Sequence, residues 1–269
     1  MVSLLITALL GQAAMADWAW RIPFLSSFVL VAIGLYVRLK LTEAPIFIAA
    51  LNKPKPKALP MMEVIVTHFK PFFLGMLICM AGYVLFYIMI AFSQIYAKSA
   101  PTVSEAGYAM GLGFSPQIFT ALLMCSAISL AITIAISGKY IDIVGRRIWL
   151  IWTTVGVALF GLVLPYFLEN GTTLSLFWFL IIGMGLIGMG YGPLASFLPE
   201  LFPTHARYSG ASLTYNIAGL FGASVAAIIA LPLNANYGLK GVGIYLTLNA
   251  VLSLIGLWFI TETRDRQLL

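Results

Sequence analysis

A ten-residue polar island, Gly138-Lys139-Tyr140-Ile141-Asp142-Ile143-Val144-Gly145-Arg146-Arg147, separates two apolar runs, 118–137 and 148–168, that carry no formal positive or negative side chain at all. Each run matches the roughly 20 residues that a helix needs to cross the hydrocarbon core of a bilayer. An island this short is not a domain; it is a tight turn at a membrane surface. Three of its four charges are positive, which places that surface on the cytoplasmic side. Gly138 and Gly145 permit positive φ and close backbone approach. Asp142 suits a helix N-terminus, and Arg146 and Arg147 suit carboxylates or anionic lipid head groups.

The remainder of the chain repeats this pattern. Only 9% of residues are charged and 61% are hydrophobic, whereas a soluble domain carries about 25% charge. Long apolar runs exclude a β-barrel, whose strands alternate over short segments. The chain reads as an all-α membrane protein. Its net charge of +6 does not imply a nucleic-acid partner, because the basic residues sit in short loops between spans. Cys79 and Cys125 lie inside apolar runs and suit neither a disulfide framework nor a metal site. His68 and His205 are far apart in sequence, and no metal or other cofactor is expected.

Spans are expected over 22–38, 72–95, 115–137, 148–167, 174–197, 208–231 and 242–261, preceded by a partial apolar segment over 1–16. That segment resembles a signal peptide in its apolar core but lacks a positive start, so the end of a truncated helix is the preferred reading. Asp17 and Arg21, four residues apart, either pair at the interface or are separately solvated. The stretch 38–70 holds Pro45, Pro54, Pro56 and Pro60 and reads as a cytoplasmic linker. Inner segments then carry twelve Lys and Arg and outer segments three, Arg21, Lys98 and Lys240. This asymmetry puts the C-terminus in the cytoplasm.

The island, as Gly-x-x-x-Asp-x-x-Gly-Arg-Arg between two spans, resembles the signature loop of the major facilitator superfamily. Two further stretches resemble its metabolite:H⁺ symporter family. Trp18-Ala19-Trp20-Arg21-Ile22-Pro23-Phe24 is similar to that family's Trp-Gly-Trp-Arg-Ile-Pro-Phe at the start of helix six. Glu200-Leu201-Phe202-Pro203-Thr204-His205-Ala206-Arg207-Tyr208-Ser209-Gly210 is similar to its turn between helices ten and eleven. The resemblance implies a major facilitator-type helix bundle. Residues 1–38 would hold the end of helix five and helix six, 39–70 the cytoplasmic linker, and 71–269 the C-terminal six-helix bundle. Helices one to four would then be missing, so a fragment of a twelve-helix carrier is expected, with its N-terminal half on the same or a separate chain.

The resemblance also implies that helices seven, eight, ten and eleven line a central cavity. On the helix-seven span, Tyr83, Tyr87 and Gln94 share one face of a regular helix and are candidates to bind a polar solute; packing or interfacial tyrosines is the alternative. Tyr191, Tyr215 and Asn216 are further candidates, since an amide in a span should face protein or water. The glycines of 183–192 suit either close helix packing or a local break. Asp142, Gly145, Arg146, Arg147, Glu200 and Arg207 are candidates for gating at the inner face. There Arg146 is expected to pair with Glu200. Asp142, whose counterpart at helix five would be missing, is expected to be unpaired.

What the resemblance implies about function is proton-coupled import of a small organic solute, such as an organic acid or betaine, across the bacterial inner membrane. The partners are that solute, a proton, the bilayer and the missing half. No acidic or basic residue lies near the centre of a span, so a proton-carrying group would come from that half, with Asp17 the weak local candidate. A non-transporting remnant or accessory subunit is the alternative. An enzyme is not expected, because the spans show no nucleophile with a base and no His/Asp/Glu cluster.

Overall fold

The structure, a computed structural model, describes residues 6, 9–11, 13–40 and 60–263. Most of the expected 39–70 linker, with Lys53, Lys55 and Lys57, lies outside the described residues, as do Arg264 and Arg266. The chain divides into two units, Met1–Lys55 and Pro56–Leu269. Among the described residues, six helical stretches are long and apolar enough to cross a membrane.

In the first unit a π-turn, Met15–Ala19, leads into helix α1, Arg21–Lys40. Pro23 falls in the first turn, where proline is tolerated. The helix has 20 residues, about 30 Å of rise and so one hydrocarbon thickness. It exposes Phe24, Leu25, Phe28 and Leu30, as a helix apolar on all sides does when lipid is its solvent. Ser26 and Ser27 donate back to the Pro23 and Phe24 carbonyls at 2.8 and 2.6 Å, so neither hydroxyl stays unsatisfied in an apolar stretch. Arg21 stacks its guanidinium 4.7 Å from the centre of the Trp20 ring, an interfacial cation–π contact.

The second unit opens with a short helix, α2, Pro60–Thr67. The expected linker therefore ends in helix, with Pro60 in the first position that proline favours. The chain breaks at His68 and continues as α3, Phe69–Tyr87, a π-turn, Ile88–Phe92, and α4, Ser93–Lys98. Helix α5, Pro116–Val144, starts where the Ser115 hydroxyl accepts the Ile118 N–H. Helix α6 spans Arg146–Glu169. Helix α7, Thr173–Glu200, is capped by the Thr172 hydroxyl. Helix α8, Arg207–Gly219, passes through a π-turn, Leu220–Ser224, into α9, Val225–Phe259.

Two expectations about connections are corrected. The island is mostly helix: α5 runs through Gly138 to Val144, and the turn is the single residue Gly145 at φ 102°. Nor is there a loop between the last two spans. Gly238, at φ 67°, is the one non-helical residue in α9. It reverses the chain, because Gly75 lies against Thr214 while Gly256 lies against Ile78. Residues near both ends of 207–259 therefore return to the same level of α3. Asn234 and Asn236 lie just before this reversal. Their amides donate to Ala109 at 3.0 Å and Pro232 at 2.9 Å.

Helix α5 packs on α7, and α9 on α6 and α3. In α7, Gly185, Gly188 and Gly192 face Ser129, Thr133 and Ser137 of α5, and at Gly188 and Gly192 a Cβ would overlap the threonine and serine hydroxyls. The helix continues unbroken through them. The glycine string thus serves close packing, which in lipid depends on contact and not on water exclusion. Gly161 and Gly243 bring α6 and α9 together in the same way, and Thr247 of α9 donates across that seam to Ala158 at 3.0 Å.

Candidate functional site

A cavity of about 250 Å³ lies between α3, α5, α6, α7 and α8. Tyr83 reaches it from α3, Tyr191 from α7 and Tyr215 from α8, against walls that include Ile134, Val157 and Leu186. The Tyr83 and Tyr215 rings lie 4.9 Å apart at 45°. Glycines create this arrangement: Gly219 and Gly222 lie directly against Tyr83, and a Cβ on Gly222 would stand 2.7 Å from the Tyr83 Cβ. Thr153 and Thr154 of α6 also line the cavity, but their hydroxyls already donate to Trp149 and Leu150 at 3.0 and 2.7 Å. The other polar side chains of the lining are the Cys79 thiol and the three tyrosine hydroxyls, of which Tyr215 hydrogen-bonds with Tyr83 and Tyr191. No Asp, Glu, Lys, Arg or His is among the lining residues. Tyr191 and Phe86 are about half exposed, so the cavity opens to the surface of this unit.

Tyr87, Gln94 and Asn216 do not line this cavity. The Tyr87 hydroxyl meets the Ala227 carbonyl at 3.4 Å. Gln94 lies beyond the π-turn Ile88–Phe92. A π-turn holds an additional residue, which rotates all that follows by about 100° relative to a regular helix. The single face expected for Tyr83, Tyr87 and Gln94 is broken there, and Gln94 is exposed. Asn216 follows Tyr215 by one residue and points elsewhere, donating to the Ser212 carbonyl at 2.8 Å. Nothing in the sequence marks Thr153 and Thr154, because threonine is common in spans and carries no periodic signal.

At one end of the bundle the island's charges form a clasp. Arg146 Nε lies 3.4 Å from Glu200 Oε2 across α6 and α7. It is an ion contact without hydrogen-bond alignment, for the same nitrogen has no hydrogen-bond partner. Arg146 Nη2 lies 3.1 Å from Asp142 Oδ1. Asp142 is thus paired within its own loop, contrary to the expectation that it would be free; a spacing of four residues across Gly145 brings the two together. The Arg147 side chain donates to the Leu257 and Trp258 carbonyls at 2.8 and 3.1 Å, the unsatisfied carbonyls at the end of α9. The Glu262 carboxylate returns across the start of α6, accepting the backbone N–H groups of Arg146 and Arg147 at 3.0 Å each. Thr263 donates to Glu200 at 2.5 Å. Arg207, at the start of α8, has a buried Nε without a hydrogen-bond partner. In the sequence Glu262 is marked only as an acid just after the last span.

The same end holds a second polar group. Glu63 Oε1 lies 2.6 Å from His205 Nε2 and 3.9 Å from His68 Nε2. Two histidines distant in sequence thus meet at one carboxylate, which corrects the expectation that they stay apart.

A sequence profile described as Major Facilitator Superfamily matches residues 1–227. A Haemophilus influenzae protein whose name refers to metabolite transport is 88% identical over 263 residues, covering 98% of this chain and 59% of that protein. The inner membrane metabolite transport protein YhjE of Escherichia coli is 39% identical, over 98% of this chain and 59% of its own length. A proline/betaine transporter of Salmonella typhimurium is 27% identical, over 99% and 53% respectively. The chain therefore spans between about half and three fifths of these relatives' lengths. No solved structure matches.

Proposed function

Because the chain belongs to the major facilitator superfamily, we propose that it forms part of a proton-coupled symporter for a small organic solute, such as an organic acid or betaine, in the bacterial inner membrane. The observation that carries this reading is the cavity of about 250 Å³ where Tyr83, Tyr191 and Tyr215 converge within apolar walls. A few polar groups in an otherwise apolar pocket orient a small solute and make its binding specific. Relatives named for metabolite and for proline/betaine transport support the class of cargo. In this reading 71–269 is the six-helix half, 39–70 the cytoplasmic linker, and 1–38 belongs to the other half. Alternating access rocks two such halves about a central site, so the remaining length of the relatives is required for transport. The proton-carrying group resides there too, since no Asp, Glu, Lys, Arg or His lines the cavity. The clasp of Arg146, Glu200, Asp142 and Glu262 holds the cytoplasmic face, with Gly145, Arg147 and Arg207 in supporting places, and the C-terminus is cytoplasmic.

The test is uptake of labelled organic acids and betaines by membrane vesicles carrying the chain, alone and with the remaining length of its relatives supplied. Uptake only in the completed protein, abolished by a protonophore, is expected. Uptake that ignores the proton gradient would remove the coupling. A chain that reaches the membrane but transports none of these solutes, even when completed, would favour the accessory-subunit reading.

A further inference from the structure

We infer that Glu63, His68 and His205 form a binding site for a divalent transition-metal ion, with Zn²⁺ the best chemical match. The three side chains each offer one ligand atom, and these atoms lie within 4.8 Å of one another. Glu63 Oε1 stands between the two imidazoles, 2.6 Å from His205 Nε2 and 3.9 Å from His68 Nε2. Tetrahedral zinc with bonds of about 2.0–2.2 Å sets its ligand atoms roughly 3.4 Å apart. The Glu63–His205 pair is therefore too close and the Glu63–His68 pair too wide, each by less than about 1 Å, and the two imidazoles, within 4.8 Å of one another, would also have to approach, adjustments that side-chain rotation can supply.

Two further observations point to a ligand. The second carboxylate oxygen, Glu63 Oε2, is buried and has no hydrogen-bond partner. Buried carboxylate oxygens ordinarily find one, and a metal bound through the carboxylate would satisfy it. The scaffold is also built. Val64 of α2 is fully buried in one cluster with Leu201, Phe202 and Ala206, so α2 and the turn that carries His205 are held against each other. His68 sits at the break between α2 and α3, at φ −115° and ψ 34°, which aims its ring differently from a continuous helix.

The donor set selects the ion. Two imidazoles and a carboxylate suit Zn²⁺, Co²⁺, Ni²⁺ or Cu²⁺, whereas Ca²⁺ and Mg²⁺ prefer oxygen cages. His205 is half exposed, leaving a route for the ion and a fourth position for water. A bound ion would tie α2 to the turn between α7 and α8.

The experiment is a titration of the purified chain, prepared with a tag that contains no histidine and stripped with a chelator. Co²⁺ is added while the visible absorption of tetrahedral cobalt is followed, and Zn²⁺ is then used to displace it. One equivalent of Co²⁺ is expected, displaced by Zn²⁺ and not by Mg²⁺ or Ca²⁺. His205→Gln, His68→Gln and Glu63→Gln should each weaken Zn²⁺ binding at least tenfold, while His205→Cys, which retains a ligand, should keep it. Zn²⁺ should raise the thermal midpoint of the unaltered chain and of His205→Cys but not of His205→Gln. Absence of one-equivalent binding would overturn the assignment and leave a His205–Glu63 hydrogen bond. Equal binding by all the variants would overturn it too, because the ion would then sit elsewhere.

Discussion

The Glu262 carboxylate accepts the backbone N–H of Arg147 at 3.0 Å and so closes the start of α6 from a residue 115 positions away. It accepts the Arg146 N–H at the same distance. Those two N–H groups have no partner inside their own helix, and an anion there also meets the positive end of the helix dipole. Arg147 reciprocates by capping the end of α9. The last span and the α5–α6 hairpin are thus locked by two residues in opposite directions.

Glu262→Ala should therefore lower the stability of the detergent-solubilised protein by about 0.5–2 kcal/mol, the range for a lost helix cap. Glu262→Gln should retain part of this, since its amide oxygen still accepts. Thermal unfolding read by scanning fluorimetry decides; a Glu262→Ala midpoint equal to that of the unaltered protein removes the cap.

The island's two glycines should respond in opposite ways. At Gly145 the backbone has φ 102°, and a Cβ would stand 2.8 Å from Glu262 Oε2. Gly145→Ala should destabilise by about 1–3 kcal/mol through strain and displacement of the cap. Gly138 lies within α5, and nothing stands within 4 Å of its Cβ position. Gly138→Ala should stabilise by up to about 1 kcal/mol from helix propensity alone. The same unfolding assay tests both, and equal effects would contradict the structure.

Arg146 and Glu200 have side chains only 15% and 16% exposed, so their contact is less screened than a surface pair. Arg146→Glu and Glu200→Arg should each reduce stability, and the double reversal should recover part of the loss. A coupling energy of about 0.5–3 kcal/mol is expected from the double-mutant cycle. Recovery will be incomplete because Arg146 also serves Asp142 and Glu200 also accepts Thr263. Strictly additive losses would show that the contact contributes nothing.

In the completed carrier, Tyr83→Phe and Tyr215→Phe should raise the KM for solute about two- to tenfold, the worth of one hydrogen bond. Gln94→Ala and Asn216→Ala should leave it unchanged, because neither side chain lines the cavity. Transport kinetics of the four variants separate these outcomes; a KM effect confined to Gln94 or Asn216 would move the site.

Orientation is tested with a chain in which Cys79 and Cys125 are replaced. A cysteine introduced at Thr172, which caps α7 at the end away from the clasp, should react with an impermeant thiol reagent from outside the cell. One at Lys139, exposed near the clasp, should not. The reverse pattern would invert the topology.

Span positions were legible in the sequence because the bilayer imposes them locally. About 20 apolar residues make a crossing whatever they pack against, and 118–137 and 148–168 show it without any partner. The Arg146–Glu200 contact was legible through a resemblance, and Tyr83, Tyr191 and Tyr215 through the same resemblance together with the rarity of polar groups in spans. Tertiary structure decided the rest. The π-turn at Ile88–Phe92 moved Gln94 off its expected face, and a buried Met89 within that turn lies against Gly183 of α7. No periodicity in α3 alone contains that neighbour. Gly238 was one glycine among 24 until packing on α3 required the chain to reverse there. Glu262 at α6, and Glu63 between His68 and His205, are meetings of residues remote in sequence. Local hydropathy determines that a segment crosses the membrane; it has no term for which end of which neighbouring helix a side chain will reach, and only the packed bundle supplies that distance.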